Sequence, residues 1–80
     1  MDTETGIKYV GFFSYKKKIN GVNRKITRMV CWMDSLEEAE EAIRGRVFNN
    51  ETKKVEDYFV SVYDITEDIS IKLAEHKVLI

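Results

Sequence analysis

The chain has 80 residues, 44% of them apolar and 34% charged, and a formal net charge of −1. That length makes one domain, spanning 1–80, with a modest core, and the composition is that of a folded chain rather than a disordered one. No apolar run approaches the roughly 20 residues of a membrane helix, the acidic start Met1-Asp2-Thr3-Glu4-Thr5 is unlike a secretory signal, and the single cysteine, Cys31, excludes an internal disulfide and points to a reducing, cytoplasmic setting.

Residues 1–6 are expected to be flexible. Beyond them, Ile7–Ile19 and Val22–Met33 are rich in β-branched and aromatic residues and flank Asn20-Gly21. A type I′ turn needs positive φ at both central residues, so this is a hairpin signal. The turn sets Ile19 against Val22, Lys17 against Arg24, Lys16 against Lys25 and Tyr15 against Ile26. Continued without interruption, the register sets Phe12 against Met29, Gly11 against Val30, Val10 against Cys31 and Tyr9 against Trp32. Like charges directly opposite cost up to about 1 kcal/mol per pair, so the tip is expected to project into solvent.

Asp34-Ser35-Leu36-Glu37-Glu38 offers an N-cap with a glutamate three residues on, whether Asp34 or Ser35 is the cap. Leu36, Ala39, Ile43 and Val47 then form one apolar stripe, and a helix is predicted over 35–47. Glu37, Glu38, Glu40 and Glu41 early and Arg44 and Arg46 late suit its dipole. Gly45 weakens the last turn, and Asn49-Asn50 reads as a loop. Tyr58–Ile65 alternates as a third strand. Thr66-Glu67-Asp68 can cap a short second helix carrying Ile69, Leu73 and His76, although Ile69-Ile71-Leu73 fits a strand equally. Val78-Leu79-Ile80 offers a short fourth strand.

A right-handed crossover places strand 3 beside strand 1. The predicted fold is therefore α+β: a ββαβ core with a three-stranded antiparallel sheet in order 2-1-3, or four-stranded with the C-terminal segment, and the helix on one face. Both hairpin faces are apolar near the base. One carries Tyr9, Gly11, Phe13, Tyr15, Arg28, Val30 and Trp32, and the other Val10, Phe12, Met29, Cys31 and Met33. A half-solvated sheet normally shows one polar face. Composition assigns the Val10/Phe12/Met29/Cys31 face to the core, because Tyr, Trp and Arg are typical of interface anchors. Gly11 argues for the reverse, since a glycine on a central strand marks close approach of another element.

Charge is uneven along the chain. Residues 7–33 hold seven basic and no acidic residues, whereas residues 34–80 hold six basic and twelve acidic. This implies either an anionic partner or halves that face each other. Cys31, His76 and Asp64 are the sole ingredients for nucleophilic catalysis, and no spacing ties them together, so no catalytic residues are assigned. One His and one Cys make no metal-ligand pattern. Isolated glycines at 6, 11, 21 and 45 make no phosphate loop, and no cofactor is expected.

The basic tip is the leading functional signal. Lys16, Lys17, Lys18, Arg24 and Lys25 cluster there, and Tyr9, Phe13, Tyr15, Arg28 and Trp32 follow down one face as the expected partner-binding surface. Cations among aromatics suit a single-stranded nucleic acid or a nucleotide. They suit an acidic groove on a protein equally, and lysines on an edge also discourage aggregation.

The stretch "CWMDSLEEAEEAIRGRVFNN" followed by "YFVSVYDI" resembles a pattern in small uncharacterised proteins of bacteriophages and mobile elements. The resemblance covers about residues 30–65 and carries no assigned functional residues. It implies a phage accessory protein acting in the host cytoplasm, many of which inhibit a bacterial defence or host enzyme. The expected function is thus a non-enzymatic inhibitor that binds a host or defence protein. The alternatives are a nucleic-acid- or nucleotide-binding protein and a structural homo-oligomer, with a homodimer through the aromatic face.

Overall fold

The computed structural model describes residues 5–49 and 55–79. Two long strands come first, β1 (Gly6–Ile19) and β2 (Val22–Met33), then the helix α1 (Leu36–Asn49), then β3 (Asp57–Ile65) and β4 (Ser70–Lys77). The fold is α+β, a four-stranded antiparallel sheet in order β2-β1-β3-β4 with one helix. The predicted order 2-1-3 is present. The strand alternative for Ile69-Ile71-Leu73 is the one that forms: the fourth strand lies at 70–77 rather than 78–80, and no second helix forms among the described residues. Thr66 explains this. Its Oγ1 accepts the Ile69 N–H at 3.2 Å and its own N–H donates to the Ile69 carbonyl at 2.8 Å. The cap chemistry closes a tight hairpin instead of starting a helix, because a Thr side chain serves turns as readily as helix ends. Gly6 already belongs to β1, opposite Ile65, while the expected flexibility of residues 1–4 lies outside the described residues, as do Asn50 and Ile80.

The hairpin turn has positive φ at Asn20 (52°) and Gly21 (80°), as a type I′ turn requires. β1 pairs with β3 only as far as Ser14 opposite Asp57. Beyond that the hairpin stands as a two-stranded arm for about 16 Å, within a molecule measuring 44 × 28 × 23 Å.

Ser35 caps α1. Its Oγ accepts the Glu38 N–H at 3.2 Å and donates to the Glu38 carboxylate at 3.3 Å. The stripe residues Ala39 and Ile43 are fully buried with Val60 and Val78, against half-buried Tyr9, Val30, Cys31, Met33, Leu36 and Tyr58. Burying Ile43 alone contributes about 1.5–3 kcal/mol.

α1 therefore covers the Tyr9/Gly11/Phe13 face, which corrects the composition-based assignment. Gly11 is the reason. A Cβ there would lie 2.6 Å from Cys31 Sγ and 3.1 Å from Ile43 Cδ1, so the helix approaches through a gap that only glycine leaves. The hairpin register also departs from the uninterrupted one. It holds from Ile19/Val22 to Phe12/Met29, then shifts by one so that Gly11 faces Cys31, Val10 faces Trp32 and Tyr9 faces Met33. Val30 is the extra residue of a β-bulge. The bulge sets Val30 and Cys31 together beneath the helix and sends Trp32 to the opposite face. An unbulged strand would drive the Trp32 indole toward the helix.

Gly11→Ala is expected to lower stability by about 1–3 kcal/mol through overpacking, read as a shift in the urea midpoint. Gly11→Ala/Cys31→Ala is expected to regain part of it by removing the Sγ atom.

Candidate functional site: the open face of the sheet

The face away from α1 is built by alternate residues of all four strands. β1 contributes Val10, Phe12 and Ser14, β2 contributes Thr27, Met29 and Trp32, and β3 contributes Asp57, Phe59, Ser61, Tyr63 and Ile65. β4 adds Ser70, Lys72, Glu75 and Lys77. At the base of the hairpin these residues make an apolar groove of about 230 Å³ between Val10, Phe12, Met29, Trp32, Tyr63 and Ile65, with Ser70 at its rim. Met29 is 60% exposed and Trp32 42%. Phe12 lies directly opposite Phe59, with ring centroids 5.3 Å apart and planes 22° from parallel. Val10, Ser14 and Ser61 are buried on this face, with no helix above them among the described residues.

Toward the arm the face becomes polar. Asp57 sits 3.3 Å from Lys25 Nζ, 4.0 Å from Lys77 Nζ and 3.4 Å from the buried Ser14 hydroxyl, which donates to it. Glu56 lies 3.7 Å from Lys16 Nζ. The carboxylates that precede and open β3 thus neutralise the two cations, Lys16 and Lys25, that face each other across the hairpin. Lys17, Lys18, Arg24 and Arg28 have no ion pair among the described residues. Internal complementarity accounts for the proximal charges and leaves the distal ones to solvent.

The ten expected partner-binding residues therefore separate into four groups. Tyr9 packs against the helix core and Phe13, on the same face of the sheet, is only 2% exposed. Tyr15 stacks on Phe13 at 5.8 Å on that same side and is half-buried. Trp32 stands on the open face, and Arg28 is exposed on the helix side of β2, opposite Phe13. Lys16, Lys17, Lys18, Arg24 and Lys25 form the arm as expected. The aromatic surface drawn from Tyr9 to Trp32 is not one surface. The accessible one consists of exposed Trp32 and Met29 with half-buried Phe12, Tyr63 and Ile65. Sequence reasoning placed Phe12 and Met29 in the core and passed over Tyr63 and Ile65. The close-approach reading of Gly11 was the signal that finds them.

The titratable groups stay apart. Cys31, Gly11, Val60 and His76 share one level of the sheet, so Cys31 and His76 are three strand spacings apart, about 14 Å. Burial raises the Cys31 thiol above its ordinary pKa, partly offset by the Gly11 backbone, and Sγ donates to the Ala39 carbonyl at 3.7 Å. Among the described residues no group of three or more His, Cys, Asp and Glu side chains could hold a metal ion, and no helix is long and apolar enough to cross a membrane.

Among the described residues the geometry defines a sheet covered by a helix on one face, whose exposed chemistry is a shallow apolar groove and a cationic arm. Comparison with protein-family models, curated proteins and solved structures finds no match to this chain.

Since the folded thiol binds its proton more tightly, Cys31 favours the folded state below the pKa of an unfolded cysteine, and this contribution is lost as pH rises toward the higher folded value. At neutral pH the thiol is expected to react with a disulfide reagent several-fold more slowly than in denaturant, because less thiolate forms and the side chain is partly covered. Equal rates in native and unfolded protein would show Sγ open to solvent.

Proposed function

We propose that this is a non-enzymatic binding protein that docks onto a protein partner through the open face of its sheet. The observation that carries the reading is the apolar groove on the uncovered face, with Met29 and Trp32 more exposed than large apolar side chains ordinarily are. Trp is the residue most enriched at interface hot spots, and Met adapts its shape to a partner. The arm supplies a different term. Lys17, Lys18 and Arg24, with no ion pair among the described residues, steer encounter with an acidic surface without belonging to the apolar contact.

A protein fits this face better than a nucleic acid does. Asp57 and Glu75 stand on it beside Lys25, Lys72 and Lys77, so a phosphate backbone laid across the aromatics would meet carboxylates as well as cations. The phage-type pattern in residues 30–65 supports the narrower reading of an inhibitor that occupies a surface of a bacterial defence or host enzyme in the cytoplasm.

With a partner isolated from host extract and then purified, Met29→Glu/Trp32→Glu is expected to weaken equilibrium binding by at least about 30-fold, the scale of one hot spot. Lys17→Glu/Arg24→Glu is expected to slow association by about tenfold at low salt and leave dissociation unchanged. Full affinity in the open-face variant rejects the docking surface. Tight binding of single-stranded oligonucleotides by the wild type, lost in the arm variant, would favour the nucleic-acid reading instead.

A further inference from the structure

The sheet has two free edges, and they differ in charge. β2 carries Arg24, Lys25 and Arg28 with no acidic residue. Antiparallel pairing of β2 with a second β2 would bring cations against cations, which protects an edge from association. β4 carries Lys72 and Lys77 but also Glu75. All eight of its residues are exposed, including Ile71 (52%) and Leu73 (55%). Half of its backbone N–H and C=O groups point away from β3, as on any edge strand. α1 lies over β2, β1 and β3 and does not reach β4, so the approach to this edge is clear of the helix.

We propose that the protein forms a two-fold symmetric dimer by antiparallel pairing of β4 with the β4 of a second copy, Lys72 of each chain opposite Glu75 of the other. The register is Ser70 with Lys77, Ile71 with His76, Lys72 with Glu75, and Leu73 with Ala74, each pair made twice. The β-bulge of β4 permits it. In a regular strand residues 72 and 75 point to opposite faces. Here the ladder shifts between Val62/Ala74 and Tyr63/Lys72, with Leu73 the extra residue, so Lys72 and Glu75 share the open face. They already contact one another within the chain. Partners in this register therefore lie on matching faces: Lys72 and Glu75 with Ser70 and Lys77 on the open side, Ile71 and His76 on the helix side. No like charges are set opposite, and the net charge of −1 gives copies little long-range repulsion.

The product is one eight-stranded sheet in order 2-1-3-4-4-3-1-2. Because the two-fold axis runs perpendicular to the sheet, both open faces lie on one side and both helices on the other. The shared edge is about 26 Å long. That interface falls at or below the small end of specific contacts, about 1,200 Å², so the dimer is reversible, with dissociation in the micromolar range or weaker. The inference is independent of the proposed function, because it concerns an edge and needs no foreign partner.

Sedimentation velocity of the full chain from micromolar to millimolar concentration tests it. Wild type is expected to shift from monomer to dimer. Lys72→Glu sets carboxylate against carboxylate in its own dimer, and Glu75→Lys sets ammonium against ammonium. Each variant alone is expected to dissociate at least about tenfold more readily, with unchanged circular dichroism. Mixed in equal amounts, the two restore both opposite-charge pairs and are expected to form a heterodimer. A wild type that stays monomeric to millimolar concentration overturns the proposal. So does a dimer that is indifferent to both charge variants and abolished by Trp32→Glu, which would place association on the open face.

Discussion

The distance between one helix and one strand governs this molecule. α1 can approach β1 only where Gly11 lacks a Cβ, with Cys31 Sγ and Ile43 Cδ1 filling the space a side chain would need. That contact selects the covered face, and with it the residues left outside. The bulge at Val30 belongs to the same constraint. It places a small thiol opposite Gly11 and turns the indole of Trp32 away from the helix. One steric gap thus produces both the core and its complement, a face whose apolar residues have no cover among the described residues.

That complement differs from a core in kind. Its central positions, Val10, Ser14 and Ser61, are sealed, so the face is a firm platform. Its periphery, Met29 and Trp32, remains accessible. Binding to a surface already ordered costs less conformational entropy than binding to one that must be assembled. The polar end is similarly ordered by Asp57, which holds Lys25, Lys77 and the Ser14 hydroxyl around one carboxylate.

The parts of the fold legible in the sequence were those fixed by local chemistry. Asn20-Gly21 defined its turn, Ser35 and Glu38 defined the helix start, and handedness put β3 beside β1. The parts that escaped depend on contacts distant in sequence. Thr66 bonds Ile69 in a way that serves a hairpin as well as a helix cap, and the pairing of β4 with β3 decides between them. The bulge leaves no local mark at Val30, because its cause lies on another strand and on α1. Core and outer faces were exchanged for a related reason. Tyr and Trp suit an interface by composition, yet Tyr9 packs against the helix core beside a glycine, and Phe13 is buried on the same face.

The hairpin turn and the helix start lie at opposite ends of the sheet. Lys17, Lys18 and Arg24 crown the arm. Asp34, Glu37 and Glu38 gather where β2 gives way to α1, and Glu67 and Asp68 occupy the nearby β3–β4 turn. Lys8 pairs with Asp34 at that end, and the remaining charges of these two groups lie apart along the strand direction. An anionic body would attract the arm and repel the opposite end, and ionic strength would weaken that bias over distances of about 10 Å.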